Sequence, residues 1–88
     1  MVSFKVLWKH SAEQELRNID RKHISRIIKT IEGLTVNPFP PGYRKLQTAE
    51  KFYRIRIGNY RVIYMVDIES KEVIIFYIRH RKEAYRKF

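Results

Sequence analysis

From Phe52 to Val66 the chain reads FYRIRIGNYRVIYMV, and its apolar residues alternate with polar ones on either side of Gly58-Asn59. That period of two predicts two strands joined by a two-residue loop, with glycine at the first central position as a type II′ turn requires. So short a loop sets the register. Ile57 faces Tyr60, Ile55 faces Val62 and Tyr53 faces Tyr64, forming an apolar face that belongs to a core. On the other face Arg56 stands opposite Arg61, with Arg54 beside Ile63. Like charges directly across a strand pair are destabilising, so this face calls for a compensating partner, and a polyanion is the natural one. The plainer reading is the wet side of a half-buried sheet.

Taken from its beginning, the chain opens on an alternating stretch from Ser3 to Trp8, with Phe4, Val6 and Trp8 to one side, which reads as an edge strand. Ser11 is placed as a helix N-cap with Gln14 at the capping-box position and Glu13 and Glu15 in the first turn. The short helix turns Ala12, Leu16 and Ile19 inward. Asp20 caps a second helix whose Ile24, Ile27, Ile28, Ile31 and Leu34 recur at spacings of three and four, with Arg21, Lys22, Arg26 and Lys29 mainly opposite. It ends before Pro38, which restricts the preceding residue. Residues 37 to 50 hold all three prolines and read as a loop pinned by Phe39 and Leu46. After the hairpin, Asp67 to Lys71 is a polar turn, and Glu72 to His80 is a last strand whose VIIFYI stretch is apolar on both faces.

The expected fold is therefore α+β in the order β-α-α-β-β-β. A helical hairpin packs on one face of a mainly antiparallel, four-stranded twisted sheet, and a short C-terminal tail or helix follows. Residues 1–88 are expected to form a single domain.

Composition narrows the function. Nineteen Lys and Arg against nine acids leave a net charge of +10, which points to nucleic acid, a ribosome or an acidic protein partner. No cysteine is present, so there is no disulfide framework or thiolate metal site, in keeping with a reducing cytoplasm. No apolar run approaches a membrane span, and the first residues do not read as a signal peptide. His10, His23 and His80 lack the spacing of a ligand motif, so no metal is expected. No glycine-rich phosphate loop is present, and Ser3, Ser11, Ser25 and Ser70 sit at caps, helix surface or turn.

What remains is Arg54, Arg56 and Arg61 on the hairpin and Arg79, His80, Arg81 and Tyr85 at the C-terminal end. If the last strand lies beside the hairpin, the two groups converge. Such a set suits RNA cleavage by the substrate's own 2′-hydroxyl, which needs a base, cations at the phosphorane and an acid for the departing 5′ oxygen. Arginine fits the middle task because its planar fork matches phosphate and stays charged, which also disqualifies it as a base. Tyr85 and His80 are the candidates for proton transfer, with Lys51 or Lys82 behind them. A tyrosine with its ordinary pKa near ~10 needs neighbouring guanidiniums to lower it. His80 titrates in the right range, or is a strand-end residue with an ordinary hydrogen bond.

The stretches Asn37-Pro38, RKL at 44–46, YRIRIGNYRVIY from Tyr53 to Tyr64 and IRHRKEAY from Ile78 to Tyr85 resemble the RelE/ParE superfamily of toxins from type II toxin–antitoxin systems. The resemblance spans essentially the whole chain. It implies one of two activities. RelE-like members cut mRNA in the ribosomal A site without metal or cofactor, whereas ParE-like members share the fold and poison DNA gyrase. Carried over by position, Arg54 and Arg56 fall where some RelE enzymes place two lysines, one with a general-base role. Arginine there shifts the work to phosphate binding. Arg61 matches a phosphate-contacting arginine, Arg81 (or Arg79) the arginine before the C-terminal tyrosine, and Tyr85 a tyrosine that transfers a proton or stacks on a base. Arg61, Arg81 and Tyr85 together favour the RelE-like activity. Lys45, Lys51, Arg79 and Lys82 are then RNA or ribosome contacts. The resemblance also implies a RelB-like antitoxin as partner, in a complex of higher oligomeric order, and a C-terminal segment from Glu83 to Phe88 that the antitoxin displaces.

Overall fold

Gly58 has φ of +60° while Asn59 stays at negative φ, as a type II′ turn demands. The strands it joins, Phe52–Ile57 and Tyr60–Asp67, pair antiparallel in the expected register, with Ile55 opposite Val62 and Arg56 opposite Arg61. The computed structural model describes residues 3–47 and 50–80. Its elements are β1 (Lys5–Trp8), α1 (His10–Arg17), α2 (Arg21–Gly33), β2 (Arg44–Lys45), β3 (Phe52–Ile57), β4 (Tyr60–Asp67) and β5 (Glu72–His80). The sheet has five strands in the order β1-β5-β4-β3-β2.

The expected sheet had four strands. The fifth, β2, is a two-residue strand inside the stretch read as a loop, pairing Arg44 with Arg54 and Lys45 with Tyr53. Two residues carry no periodicity, so only the partner strand reveals it. The sheet is also mixed, because β1 runs parallel to β5 at the opposite edge. A parallel partner requires a crossover, and the two helices supply it.

Both helices lie on one face. Ala12, Ile27 and Ile31 are buried with Ile55, Val62, Tyr64, Val73, Ile75 and Ile78, and Phe4, Val6 and Trp8 pack against the same cluster. Asp20 caps α2 as expected, its carboxylate accepting from the Lys22 N–H. Ser11 does not cap α1. The helix starts two residues earlier than a Ser11 cap implies, at His10 after Lys9, which contributes no side-chain cap. Ser11 therefore falls within the first turn, and its hydroxyl donates instead to the Phe76 carbonyl at 2.8 Å.

Between Ile63 and Tyr64 the register of β4 with β5 shifts. Ile63 faces Tyr77 but Tyr64 faces Ile75, so Phe76 is an extra residue in β5. A bulge of this kind resets the alternation beyond it. Before it Val73 and Ile75 point to the helices; after it Ile78 does, and Arg79 comes to lie opposite Arg61.

Candidate active site

The face turned away from the helices carries two rows of cross-strand neighbours. One runs Arg44, Arg54, Ile63 and Tyr77; the next runs Arg56, Arg61 and Arg79. Arg44, Arg54, Arg56 and Arg61, with Gly42, line a cavity of about 290 Å³. Their convergence has three local causes. The tight turn sets Arg56 opposite Arg61, the period of two keeps Arg54 on that face, and β2 adds Arg44 beside Arg54. Gly42, at φ +93°, lets the loop before β2 turn back towards the sheet.

Arg56 and Arg44 are exposed, Arg54 is half-buried, and Arg61 is only 5% exposed. A charge so withdrawn from water acts through a lower effective dielectric, so an anion that enters meets a stronger field than at an open surface. Every charged group among the cavity's lining residues is a guanidinium, which holds and neutralises anions but moves no protons at neutral pH. Among the described residues no group of three His, Cys, Asp or Glu is placed to hold a metal ion.

The other residues singled out from the sequence divide. His80 stands opposite Tyr60 and meets its ring edge-on at 5.6 Å, on the helix-bearing face. It is therefore not brought to the arginine cavity, and lines a separate cavity with Glu15, Asn18, Ile19, Tyr60 and Ile78. Arg79 is in the right row, yet its Nε is paired with Glu15 and its guanidinium lies 4.5 Å over the Tyr77 ring. Lys45 is exposed and shares the face of its partner Tyr53, away from the arginines. Lys51, with φ of 66°, sits in the turn before β3, at the end of the hairpin away from Arg56. Arg81, Lys82 and Tyr85 lie outside the described residues, as does the segment from Glu83 to Phe88. Arg44 stood in the sequence reading only as part of a basic loop that could touch RNA, and Glu15 escaped it. Arg44 lay in a stretch without periodicity. Glu15 read as a first-turn acid, although its place one turn after Ser11 on the same helix face was a signal.

Beside these rows the same face is apolar, with Leu7, Ile74, Met65 and Phe52 adjacent across four strands and Phe76 edge-on to Phe52 at 4.9 Å. Among the described residues no helix is long and apolar enough to cross a membrane.

Residues 6–85 match the family described as "ParE toxin of type II toxin-antitoxin system, parDE". RelE1 of Methanocaldococcus jannaschii is 30% identical over 76 residues, covering 83% of this chain and 84% of that protein. Toxin RelE3 of the same organism is 28% identical over 88 residues, covering 96% and 98%. Among solved structures, the archaeal RelE–RelB complex from Pyrococcus horikoshii superposes with a TM-score of 0.81 at 26% identity, covering 90% of this chain and 96% of that one. Its α+β arrangement of two helices on one face of a sheet is the arrangement found here. By fold, by extent of match and by the relatives it shares, this chain belongs to the RelE/ParE family of toxins from type II toxin–antitoxin systems.

Proposed function

We propose that the protein is a ribosome-dependent endoribonuclease that cleaves mRNA in the A site and so stops translation. The observation that carries this reading is the cavity lined by Arg44, Arg54, Arg56 and Arg61. In the reaction the 2′-hydroxyl loses its proton and its oxygen bonds to the adjacent phosphorus. The bond from phosphorus to the 5′ oxygen breaks, and that oxygen takes up a proton. Negative charge builds on the phosphorane, and guanidiniums fixed beforehand stabilise it without reorganising.

Arg61, Arg56 and Arg54 bind the scissile phosphate, with Arg44 added by the geometry. The arginines leave the protons to other groups. Tyr85 is the first candidate and Arg81 a further phosphate ligand, each by the resemblance of the C-terminal stretch. The placement of His80 on the opposite face speaks against its transferring a proton. Lys45, Lys51 and Lys82 contact RNA or ribosome, and the ribosome presents and bends the mRNA, supplying the alignment that a small groove lacks. The partner that restrains the toxin is a RelB-like antitoxin with acidic character, in a complex of higher order, and the site of action is the cytoplasm.

A second reading, inhibition of DNA gyrase, is favoured by the family's description as ParE. Both are decided by adding the purified protein to ribosomes stalled on a defined mRNA and mapping the 5′ ends of the fragments, with gyrase supercoiling in parallel. The expected result is cuts confined to the A-site codon, slowed about a hundredfold or more in Arg61→Ala. Intact mRNA together with arrested supercoiling would replace the nuclease by the gyrase reading.

A further inference from the structure

Strand β1 pairs with β5 only as far as Trp8 opposite Ile75, and the Lys9 N–H closes that stretch on the Ile75 carbonyl at 2.9 Å. Beyond it the same edge of β5 offers the Phe76 carbonyl and the Ile78 N–H, the groups that a longer β1 would have satisfied. Helix α1 supplies both partners from side chains one turn apart. Ser11 Oγ donates to the Phe76 carbonyl at 2.8 Å, and Glu15 Oε1 accepts from the Ile78 N–H at 3.0 Å. The second oxygen of Glu15 pairs with Arg79 Nε.

That pairing has an electrostatic consequence at the arginine rows. The bulge at Phe76 sets Arg79 directly opposite Arg61, two like charges on facing positions, which is unfavourable. Glu15 neutralises one of them. It does so through one carboxylate oxygen, an anionic acceptor of the kind a phosphate also offers a guanidinium. The side chains of Arg79 and Glu15 are 17% and 25% exposed, so the pair is shielded more than a surface ion pair. Tyr77, the other row's residue on β5, backs the guanidinium with its ring.

We propose that Glu15 is a positioning residue that reserves Arg79, holding its guanidinium at the α1 edge and competing internally with the phosphate that the arginine cavity receives. This rests on the reading of that cavity as a phosphate site. Arg79 joins the cavity only by leaving Glu15, so the carboxylate tunes how tightly the protein grips a phosphate. It thereby also favours a substrate held by other contacts, since a lone phosphate must displace Glu15 to recruit Arg79.

The test titrates inorganic phosphate into the full-length protein and follows the Nε–Hε signals of Arg61 and Arg79 by NMR. Glu15→Gln retains a carbonyl oxygen for the Ile78 N–H and removes the charge. Phosphate is expected to bind Glu15→Gln at least about threefold more tightly than wild type, the gain vanishing in the Glu15→Gln/Arg79→Gln double variant. A purely structural Glu15 would lower the melting temperature and leave phosphate affinity unchanged. Equal or weaker binding by Glu15→Gln, a gain that persists in the double variant, or no phosphate response in any form overturns the proposal. In the wild-type protein, saturating phosphate is also expected to move the Glu15 carboxyl carbon signal as the pair opens. A stationary signal there overturns the proposal whatever the variants do. Failure of the nuclease reading would appear elsewhere, as intact mRNA on the ribosome, while the phosphate titration still decides the role of Glu15.

Discussion

Tyr64 shows how a single side chain joins the core to the loop that carries the site. It is fully buried, its ring neighbours Tyr53, and its hydroxyl donates to the Pro38 carbonyl at 2.8 Å. Burial, reinforced by the nearby phenols of Tyr43 and Tyr53, pushes its pKa well above the ordinary tyrosine range. A phenol raised on folding keeps its stabilising contribution below the unfolded value near ~10 and loses it as pH climbs towards the folded value. Tyr64→Phe is therefore expected to flatten the alkaline limb of a stability–pH curve. It should also cost about 1–2 kcal/mol in urea unfolding at neutral pH, because the Pro38 carbonyl loses its partner. Asp67 has the opposite sign. The backbone N–H of Ser70 foremost, helped by the Ser70 hydroxyl, the Lys51 charge and the Glu69 N–H, holds its carboxyl below the usual carboxylate range. Its contribution is present above an unfolded value near ~3.9 and is lost as pH falls through the folded one. Asp67→Asn should remove that part of the acid limb.

Among the elements, β5 carries the feature on which the site most depends. With a regular pairing that kept Phe76, every residue beyond it would fall on the other face: Ile78 would leave the core and Arg79 would leave the row of Arg61. Deleting Phe76, the extra residue, is expected to remove the bulge while leaving Ile78 opposite Val62 and Arg79 opposite Arg61, so unfolding followed by circular dichroism should stay cooperative. The β3–β4 turn is the second such element. At Gly58, φ of +60° strains any L side chain, so Gly58→Ala should destabilise by about 1–2 kcal/mol while its Cβ, 3.7 Å from Arg26 Nη1, meets only ordinary contact. On α2, Ile31 is 1% exposed, and Ile31→Ala should cost about 2–5 kcal/mol in a denaturant titration.

For the molecule as a whole, the +10 charge is the property through which the proposed RNA substrate is expected to be met. If the four arginines of the proposed phosphate-binding face engage a single strand, they release counterions, and the logarithm of affinity should fall with the logarithm of salt at a slope of about −3. Each Arg→Gln change at Arg44, Arg54 or Arg56 should reduce that slope by about 0.7, measured with a 2′-O-methyl RNA that cannot be cleaved. The two faces of the sheet divide the labour. One is committed to the helices and the core, and the other sets arginine rows beside an apolar row from Leu7 to Phe52.

The hairpin was legible in the sequence because a two-residue glycine turn and a period of two leave one register, and that register puts Arg54, Arg56 and Arg61 on a single face. The second helix was legible from its isoleucine spacing and from Asp20 at its start. Family membership was legible too, since its motifs run from Asn37 to Tyr85. Other features were decided only in three dimensions. Strand β2 is two residues long and exists because Arg44 and Lys45 find β3. Ser11 is drawn away from a cap by the unpaired edge of β5. Glu15 is taken by the same edge and by Arg79, and His80 is carried to the helix face by a bulge that no local pattern announces. The reason is common to all of these. Alternation and spacing report which face a residue prefers within its own element, whereas bulges, edge pairing and charge compensation depend on what a neighbouring element leaves unsatisfied.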